Sequence, residues 1–247
     1  MEKRILVIGD SCIDIYSYCK STRLAPDKPV PVLEVIETIE TPGMAFNVFN
    51  NALSLSNNPK GIDLLTNPNY QEVTKNRYVD KFSNHMFLRV DSSTPVERLI
   101  RKEIEKEYDT VIISDYDKGF LTTDDIQYIC THHPQVFLDT KKVLGNWANA
   151  ARFIKINNHE YERSKEYFQN VGVVDKVIQT MGGDGCCYNG KVYPVEELDV
   201  MDVSGAGDTF MAALAVKYTE TEDMILSIGF ANQCSSHVVK KKGTTVA

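Results

Sequence analysis

The segment that decides the fold is Asp202-Val203-Ser204-Gly205-Ala206-Gly207-Asp208-Thr209-Phe210. Two glycines flank an alanine, an aspartate follows, and an apolar run begins at Phe210. Gly205 and Gly207 let the backbone turn tightly enough to aim several N–H groups at one point. A helix that begins near Asp208 adds the positive end of its dipole at the same place. The segment therefore predicts an anion-binding turn at the start of a helix.

Asp208 places a carboxylate at the edge of this predicted site. An acid beside a bound phosphoryl group is repulsive, so its position favours a base that takes a proton from an attacking hydroxyl. The alternative is an ordinary glycine turn in which Asp208 caps the helix. The short Gly-x-Gly-Asp pattern leaves both interpretations open, and the nine-residue segment favours the first.

The nine-residue segment resembles the second signature of the ribokinase (PfkB) family of carbohydrate kinases, D-T/V-x-G-A-G-D-x-F. The resemblance implies that Asp208 is the catalytic base. It also implies that the backbone amides of Gly205, Ala206 and Gly207 form the anion hole for the transferred phosphoryl group.

The composition is that of an ordinary globular protein, with 247 residues, 43% hydrophobic residues and 25% charged residues. This length predicts one sizeable core, in a single domain with a small accessory element. The net charge of −7 argues against a nucleic-acid surface, and no apolar stretch approaches the ~20 residues that span a bilayer. Residues 1–8 are too few for a signal peptide, and six cysteines without a CxxC pair indicate reduced thiols. We therefore expect a cytoplasmic protein with neither a nucleic-acid nor a membrane partner.

Short apolar runs alternate with helical segments along most of the chain. The runs are typical of buried parallel strands, and their alternation with helices predicts an α/β fold with a Rossmann-like, doubly wound, mostly parallel sheet. Residues 95–108 predict a solvated amphipathic helix. The segment 16–40, which three prolines interrupt, predicts a loop and edge strands. Residues 77–82 and 85–90 predict a strand pair.

The family resemblance gives these last segments a role. It implies a ribokinase-like domain over residues 1–247, in which segments of about 16–40 and 75–91 form a small β lid over the sugar. The same lid is a candidate contact for a homodimer.

Several motifs resemble the D-glycero-D-manno-heptose 7-phosphate kinase branch of that family. Residues 23–32 resemble R-x-S-P-E-x-P-V-P-V, residues 42–48 resemble P-G-G-A-A-N-V, and residues 114–119 resemble S-D-Y-x-K-G. Met44 and Phe46 replace a glycine and an alanine of the second pattern, which leaves the identity of the sugar open. The residues that the resemblance implies in binding the sugar or sugar phosphate are Asp14, Gly43, Asn47, Lys75, Arg77, Arg89 and Asp115.

Plainer structural roles stay open for these residues. Asp14 fits a solvated strand end, and Asn47 fits a helix cap. The three basic residues suit either a phosphate or salt bridges within the lid.

The nucleotide side of the predicted site is carried by motifs in the second half of the chain. Residues 157–160 resemble N-x-x-E, which implies that Asn157 and Glu160 help to hold Mg²⁺, mostly through water. Residues 180–185 match T-x-G-x-x-G, on which ATP phosphates lie in the family, and a β-hairpin turn is the alternative. The residues implied in binding ATP are Asn157, Thr180, Gly182, Gly185, Asn232, Lys242 and Gly243.

The resemblance extends from residue 4 to residue 246 and is interrupted near residues 57–73, where the chain is shorter than the family pattern. It implies a kinase domain alone, without the nucleotidyltransferase half of bifunctional relatives. We expect transfer of the γ-phosphoryl of ATP to a hydroxyl of a sugar or sugar phosphate, with heptose 7-phosphate as first choice. The alternatives are another sugar or a nucleoside, or a relative that binds nucleotide without turnover.

Overall fold

The computed structural model describes residues 3–99, 108–171, 175–241, 243 and 245–247. Most of the helix predicted over 95–108 lies outside these ranges, and residues 95–99 are not helical. Lys242, which the resemblance implies in binding ATP, also lies outside them.

The strands and helices within these ranges follow the predicted alternation. The strands are β1 (Ile5–Gly9), β2 (Ser11–Leu24), β3 (Pro31–Met44), β4 (Ile62–Thr66), β5 (Thr74–Asp80), β6 (Met86–Asp91), β7 (Thr110–Asp115), β8 (Val136–Thr140), β9 (Phe153–Asn157), β10 (Val177–Thr180), β11 (Cys186–Tyr188) and β12 (Lys191–Tyr193). The helices are α1 (Ala45–Leu55), α2 (Thr123–His132), α3 (Asn158–Arg163), α4 (Lys165–Val171), α5 (Ala206–Thr221) and α6 (Met224–Val238).

The larger sheet is mostly parallel and confirms the predicted fold class. Its order is β12-β11-β10-β9-β8-β7-β1-β4. In this order, the six strands β10, β9, β8, β7, β1 and β4 pair in parallel with their neighbours. At the other edge, β11 pairs antiparallel with β10 and with β12. β1, β7 and β8 are buried along their whole length, which is why each contains an uninterrupted run of three or more apolar residues.

Helices cover both faces of this sheet, because successive strand residues point to opposite sides. Ile5 and Val7 pack into one core with α1, α5 and α6. Leu6 and Ile8 pack into the other core with α2. α5 lies at the centre of the first core and buries ten of its sixteen residues, so it is apolar around most of its circumference. No described helix combines the length and the apolarity that crossing a membrane requires.

A second, four-stranded sheet has the order β3-β2-β5-β6. The predicted strand pair 77–82 and 85–90 is present as β5 and β6. The segment 16–40, predicted as a loop and edge strands, contains the turn 25–30 and parts of β2 and β3, each 14 residues long. β3 is an edge strand as predicted, whereas β2 lies inside the sheet. Pro26 and Pro29 fall in the turn, and Pro31 is the first residue of β3, where a missing N–H is tolerated. This sheet joins the larger one directly, since β2 begins two residues after β1 ends.

Candidate active site

Polar residues from separate elements meet where the parallel strands end. Asp10 follows β1, Asp115 ends β7, Asp139 lies near the end of β8 and Asn157 ends β9. Because these strands are parallel and adjacent, their carboxyl ends lie along one edge of the sheet, where open α/β folds bind ligands. The N-terminus of α5 lies at the same edge, because Asp208 contacts residues that follow β7 and β3.

Asp208 lies in the first turn of α5 and is buried. Its Oδ2 atom accepts a hydrogen bond from Asn47 Nδ2 at 3.0 Å, and its Oδ1 atom accepts one from the Tyr116 hydroxyl at 2.6 Å. Gly205, with φ 78°, is the N-cap of this helix, and no side chain caps it. The alternative in which Asp208 merely caps its helix is therefore wrong, since both carboxylate oxygens face other elements.

Burial raises the pKa of the Asp208 carboxyl above its ordinary value. The hydrogen bonds from Asn47 and Tyr116 act in the opposite direction, because they stabilise the ionised form. The result is an anionic group whose proton affinity is increased by its surroundings, which is the property that a general base needs.

The tight turn before Asp208 contains a glycine in the left-handed region, Gly205. The N–H groups of Gly207 and Asp208 lie in the first turn of α5, where no intrahelical acceptor is available. The Ala206 N–H differs from the expectation, because it donates to the Val203 carbonyl at 3.2 Å. A Cβ atom at Gly207 would lie 3.2 Å from the Lys155 ammonium nitrogen, so this turn passes closely over a buried cation.

A chain of buried charges lies beneath the turn, and the sequence analysis did not assign it. Lys155 donates to Asp139 Oδ2 at 2.7 Å, and Lys141 lies 3.6 Å from Asp139 Oδ1 and also binds Glu160. Burial by itself raises the pKa of the Asp139 carboxyl, but the two ammonium groups outweigh burial and lower it. The available signal was Lys155 itself, because a lysine inside an apolar buried strand needs a carboxylate partner.

The second sheet brings three of the predicted sugar residues together. Asp14 on β2 is paired in register with Lys75 on β5, and Arg77 donates to Asp14 Oδ1 at 2.6 Å. The Lys75 ammonium lies 4.9 Å from the centroid of the Tyr116 ring, which links this cluster to Asp208. Gly43 on β3 approaches so closely that a Cβ atom there would lie 2.1 Å from Asp14 Oδ2.

Arg89 and Asp115 do not join that cluster. Arg89 is next to Arg77 in the β5–β6 register, but it is half exposed and pairs with Asp91. The Asp115 side chain is 0% exposed and accepts from Lys142 at 2.8 and 2.9 Å and from Thr140. The expectation that Asp115 contacts the sugar is not supported by this geometry, because its oxygens are engaged below the surface.

The pfkB family carbohydrate kinase model matches residues 50–247 of this chain. The chain belongs to this family. The predicted enzyme class, a carbohydrate kinase, is thereby confirmed at the level of the family.

The chain is also similar in sequence, over nearly its whole length, to longer proteins. The "bifunctional protein HldE" of Helicobacter pylori strain J99 is 30% identical over 300 residues, which cover 99% of this chain and 64% of that protein. The protein of the same name from Nitratiruptor is 28% identical over 295 residues, with 100% and 63% coverage. The chain thus spans less than two thirds of the length of these relatives. The first alignment is also longer than the 247 residues of this chain, so the relative has residues without a counterpart here.

Solved structures of ribokinases have the same fold. Ribokinase from Thermotoga maritima superimposes with a TM-score of 0.72 at 17% identity, covering 98% of this chain and 95% of that one. Arabidopsis thaliana ribokinase, complexed with ribose and ATP, gives a TM-score of 0.70 at 16% identity, with 98% and 94% coverage.

In this pfkB family chain, four residues predicted for the nucleotide side lie near the β10–β11 turn or in α6: Thr180, Gly182, Gly185 and Asn232. Gly182 (φ 61°) has open space at its Cα, whereas a Cβ atom at Gly185 (φ 88°) would lie 2.2 Å from a backbone carbonyl of β12. Gly185 therefore approaches β12 closely, at the turn that joins the antiparallel strands β10 and β11. Thr180 Oγ1 lies 3.4 Å from a β9 carbonyl, and Asn232 donates to the Tyr193 carbonyl at 3.0 Å. The Gly243 N–H donates to a carboxylate oxygen of Asp202 at 3.0 Å.

The N-x-x-E pair of the family forms a helix cap in this structure. Asn157 Oδ1 accepts from the Glu160 N–H at 2.9 Å, and Glu160 Oε2 accepts from the Asn157 N–H at 3.0 Å. Lys141 engages the other Glu160 oxygen. Throughout the described part of the chain, no group of three or more His, Cys, Asp or Glu side chains suits a metal ion. The pair fits contacts to Mg²⁺ through water, which Mg²⁺ retains readily, and does not fit a direct protein cage.

Proposed function

We propose that this chain transfers the γ-phosphoryl group of ATP to a hydroxyl of a sugar or sugar phosphate, with Asp208 as the base. The observation that carries the proposal is the Asp208 carboxylate. It is buried, burial raises its pKa, and it lies in the first turn of α5, where the N–H groups of Gly207 and Asp208 have no intrahelical acceptor.

Each group around Asp208 has a part in the proposed reaction. Asn47 and Tyr116 fix the carboxylate, and each of its oxygens keeps a second lone pair for the substrate hydroxyl. The first-turn amides and the helix dipole favour the charge on the transferred group. Lys155 adds a buried positive charge beneath the same turn. The protein therefore supplies orientation and electrostatic stabilisation, which are the main requirements of phosphoryl transfer.

The acceptor is proposed to bind at the Asp14 cluster. A carboxylate accepts from neighbouring hydroxyls of a sugar, and the ammonium of Lys75 and the guanidinium of Arg77 suit a phosphate on that sugar. We take heptose 7-phosphate, with the anomeric hydroxyl as acceptor, as the best candidate because residues 23–32 and 42–48 resemble that branch of the family. The second sheet would cover this sugar as a lid.

The nucleotide is proposed to enter as its Mg²⁺ complex, near Asn157 and the open turn at Gly182. The metal neutralises phosphate charge when it is bound. The ATP complex of a ribokinase with the same fold supports a nucleotide site on this scaffold. All six cysteines are free, which suits the reducing cytoplasm where we place the reaction.

A homodimer through the second sheet is part of the proposal. Val35, Ile36 and Ile39 on β3 and Leu88 and Val90 on β6 are between 42% and 51% exposed. A second copy would remove this apolar surface from water. Analytical ultracentrifugation tests it directly, since a monomer at micromolar concentration would remove the dimer from the proposal.

The decisive experiment measures ADP release from MgATP against a panel of sugars, sugar phosphates and nucleosides. Asp208→Asn is expected to lower turnover by about 10²–10⁴-fold, the usual contribution of a general base. Asp124→Asn is the matched control, because Asp124 is an exposed carboxylate in the first turn of α2. Turnover that survives Asp208→Asn would refute the role of Asp208. ATP binding without turnover of any acceptor would favour a non-catalytic relative.

A further inference from the structure

Tyr116 is the side chain that connects the sugar cluster to the proposed base, and no motif assignment gave it a role. Its hydroxyl donates to Asp208 Oδ1 at 2.6 Å, the shorter of the two side-chain hydrogen bonds to that carboxylate. A hydrogen bond from a hydroxyl to a carboxylate is charge-assisted and stronger than one between neutral groups.

The backbone of Tyr116 is fixed independently of this bond. Its N–H donates to Asp10 Oδ2 at 2.7 Å, and the Phe120 N–H donates to Asp10 Oδ1 at 3.1 Å. Asp10 is fully buried at the end of β1. The loop that carries Tyr116 is thus tied at two points to the strand next to β7.

The Tyr116 ring is held from several directions. The ammonium nitrogens of Lys75 and Lys141 lie 4.9 and 5.2 Å from its centroid, within the range of cation–π contacts. The ring also packs against a small apolar cluster that contains Met44 and Cys12. The position of the phenol oxygen is therefore set by packing as well as by its hydrogen bond.

Met44, in the apolar cluster against which Tyr116 packs, has an unusual backbone conformation. Its backbone has φ 62° and ψ −130°, a conformation that costs a non-glycine residue about 1–3 kcal/mol. The family pattern has glycine here, and this chain has a methionine whose side chain is buried behind Tyr116. The chain thus tolerates a strained backbone at a position whose side chain supports the phenol.

The electrostatic surroundings of Asp208 come from several elements. Asn47 on α1, Tyr116, Asp139 on β8 and Lys155 on β9 all act on it, and Lys141 and Cys12 also lie within its field. Burial and the Asp208 charge raise the pKa of the Tyr116 hydroxyl well above its ordinary value, so the proton stays on the phenol. Tyr116 is therefore a donor to Asp208 at any working pH.

We propose that Tyr116 is a positioning residue, whose hydroxyl orients the Asp208 carboxylate and stabilises it as the anion that accepts a proton. This inference rests on the proposed function, in which Asp208 is the base. Tyr116 itself exchanges no proton with the substrate.

The first test is independent of turnover and uses Tyr116→Phe, which removes the hydroxyl and keeps the ring. Protein labelled with ¹³C at the aspartate carboxyl carbons is titrated by NMR, and Asp208→Asn identifies the Asp208 signal. The expected result is a higher Asp208 pKa in Tyr116→Phe than in the wild type. An unchanged or lower pKa would overturn the proposal.

The second test follows kcat/KM of the wild type and Tyr116→Phe as a function of pH. We expect a loss of about tenfold or more at neutral pH, the usual scale of a hydrogen bond to a charged group, and an acid limb displaced to higher pH. Tyr167→Phe is the control, since its hydroxyl bonds Asn149 outside this site at 2.8 Å. Its profile should match the wild type.

A third variant covers the case in which Tyr116→Phe folds poorly. Met44→Gly leaves the hydroxyl in place but removes the side chain behind the ring, so it should raise the Asp208 pKa by a smaller amount. The outcomes separate the two proposals. If the wild type turns over no acceptor, the proposed kinase function is refuted. If the wild type has turnover and Tyr116→Phe has the same pH profile of kcat/KM, only the role of Tyr116 is refuted.

Discussion

Replacing Gly43 with alanine places a methyl group where the Asp14 carboxylate now lies. The new Cβ atom would be 2.1 Å from Asp14 Oδ2 and 2.8 Å from Asp14 Cγ, whereas ordinary contacts are 3.4–4 Å. The carboxylate must therefore move by more than ~1 Å, because a β3 backbone paired along its length with β2 cannot retreat. That movement separates Asp14 from Arg77, whose nitrogen is 2.6 Å away.

The size of the effect follows from these contacts. Overpacking of this kind costs about 1–3 kcal/mol of folding free energy, and the loss approaches about 3–5 kcal/mol if the ion pair opens without a new partner. For the reaction, a displacement of ~1 Å of a substrate-binding group costs about 100-fold in kcat/KM for the sugar. The KM for ATP should not change, since neither Gly43 nor Asp14 belongs to the nucleotide side.

The assay is ADP release at varied sugar and fixed ATP, followed by the reverse, with urea unfolding alongside. Gly229→Ala is the matched control, because a Cβ atom at Gly229 of α6 meets nothing within 4 Å. It should keep full activity and gain about 0.5–1 kcal/mol of stability. If Gly43→Ala leaves the sugar KM and kcat unchanged, Asp14 does not contact the acceptor and the proposed sugar site is wrong.

Three further predictions follow from the site. Folding raises the pKa of Asp208 above its ordinary 3.8, so urea unfolding should show the wild type losing stability relative to Asp208→Asn as the pH rises from 3.8 to the folded pKa. The difference should be constant below pH 3.8 and level off above the folded pKa, and a difference that does not change with pH would contradict the raised pKa. Asn157→Ala removes a capping box and should cost about 0.5–2 kcal/mol in the same assay, and no loss would contradict the capping role. Gly182→Ala should cost about 1–2 kcal/mol of stability, because its backbone is left-handed although the new methyl group meets open space. Gly185→Ala should cost more, because its methyl group would also clash with a backbone carbonyl at 2.2 Å. Equal thermal midpoints for the two variants would refute this comparison.

The elements that the sequence predicted well are those with local causes. The apolar runs of β1 and β7 predicted the parallel sheet, because a strand that is buried on both faces does not alternate between apolar and polar residues. The turn at Gly205 was predictable because two glycines stand directly before an apolar helical run, and a glycine-rich turn at a helix start is a common anion-binding pattern. The family model confirms the family that the segment resembles, and the shared ribokinase fold confirms the fold class. That the turn binds an anion stays a prediction.

The details that sequence analysis missed depend on distant contacts. The motif at residues 114–119 showed that a strand end reaches the site, but it did not show that Asp115 turns inward to Lys142 while Tyr116 reaches Asp208. Asn47 was expected to bind sugar hydroxyls, and in the structure its amide donates to Asp208. These pairings depend on side-chain direction in three dimensions, which spacing along the chain does not give.

The hydrogen bond between Asn47 and Asp208 joins residues 161 positions apart, and this separation has a consequence for how the protein acquires activity. Contacts of such long range, in a parallel sheet built from the whole chain, form slowly because loop closure precedes any gain from the contact. A folding intermediate that has β1 and α1 but has not yet docked α5 would lack both the proposed base, Asp208, and the turn proposed to bind the phosphoryl group. ATP turnover should therefore recover during refolding later than helical circular dichroism does, and enzymatic activity becomes a probe of the last tertiary contacts to form.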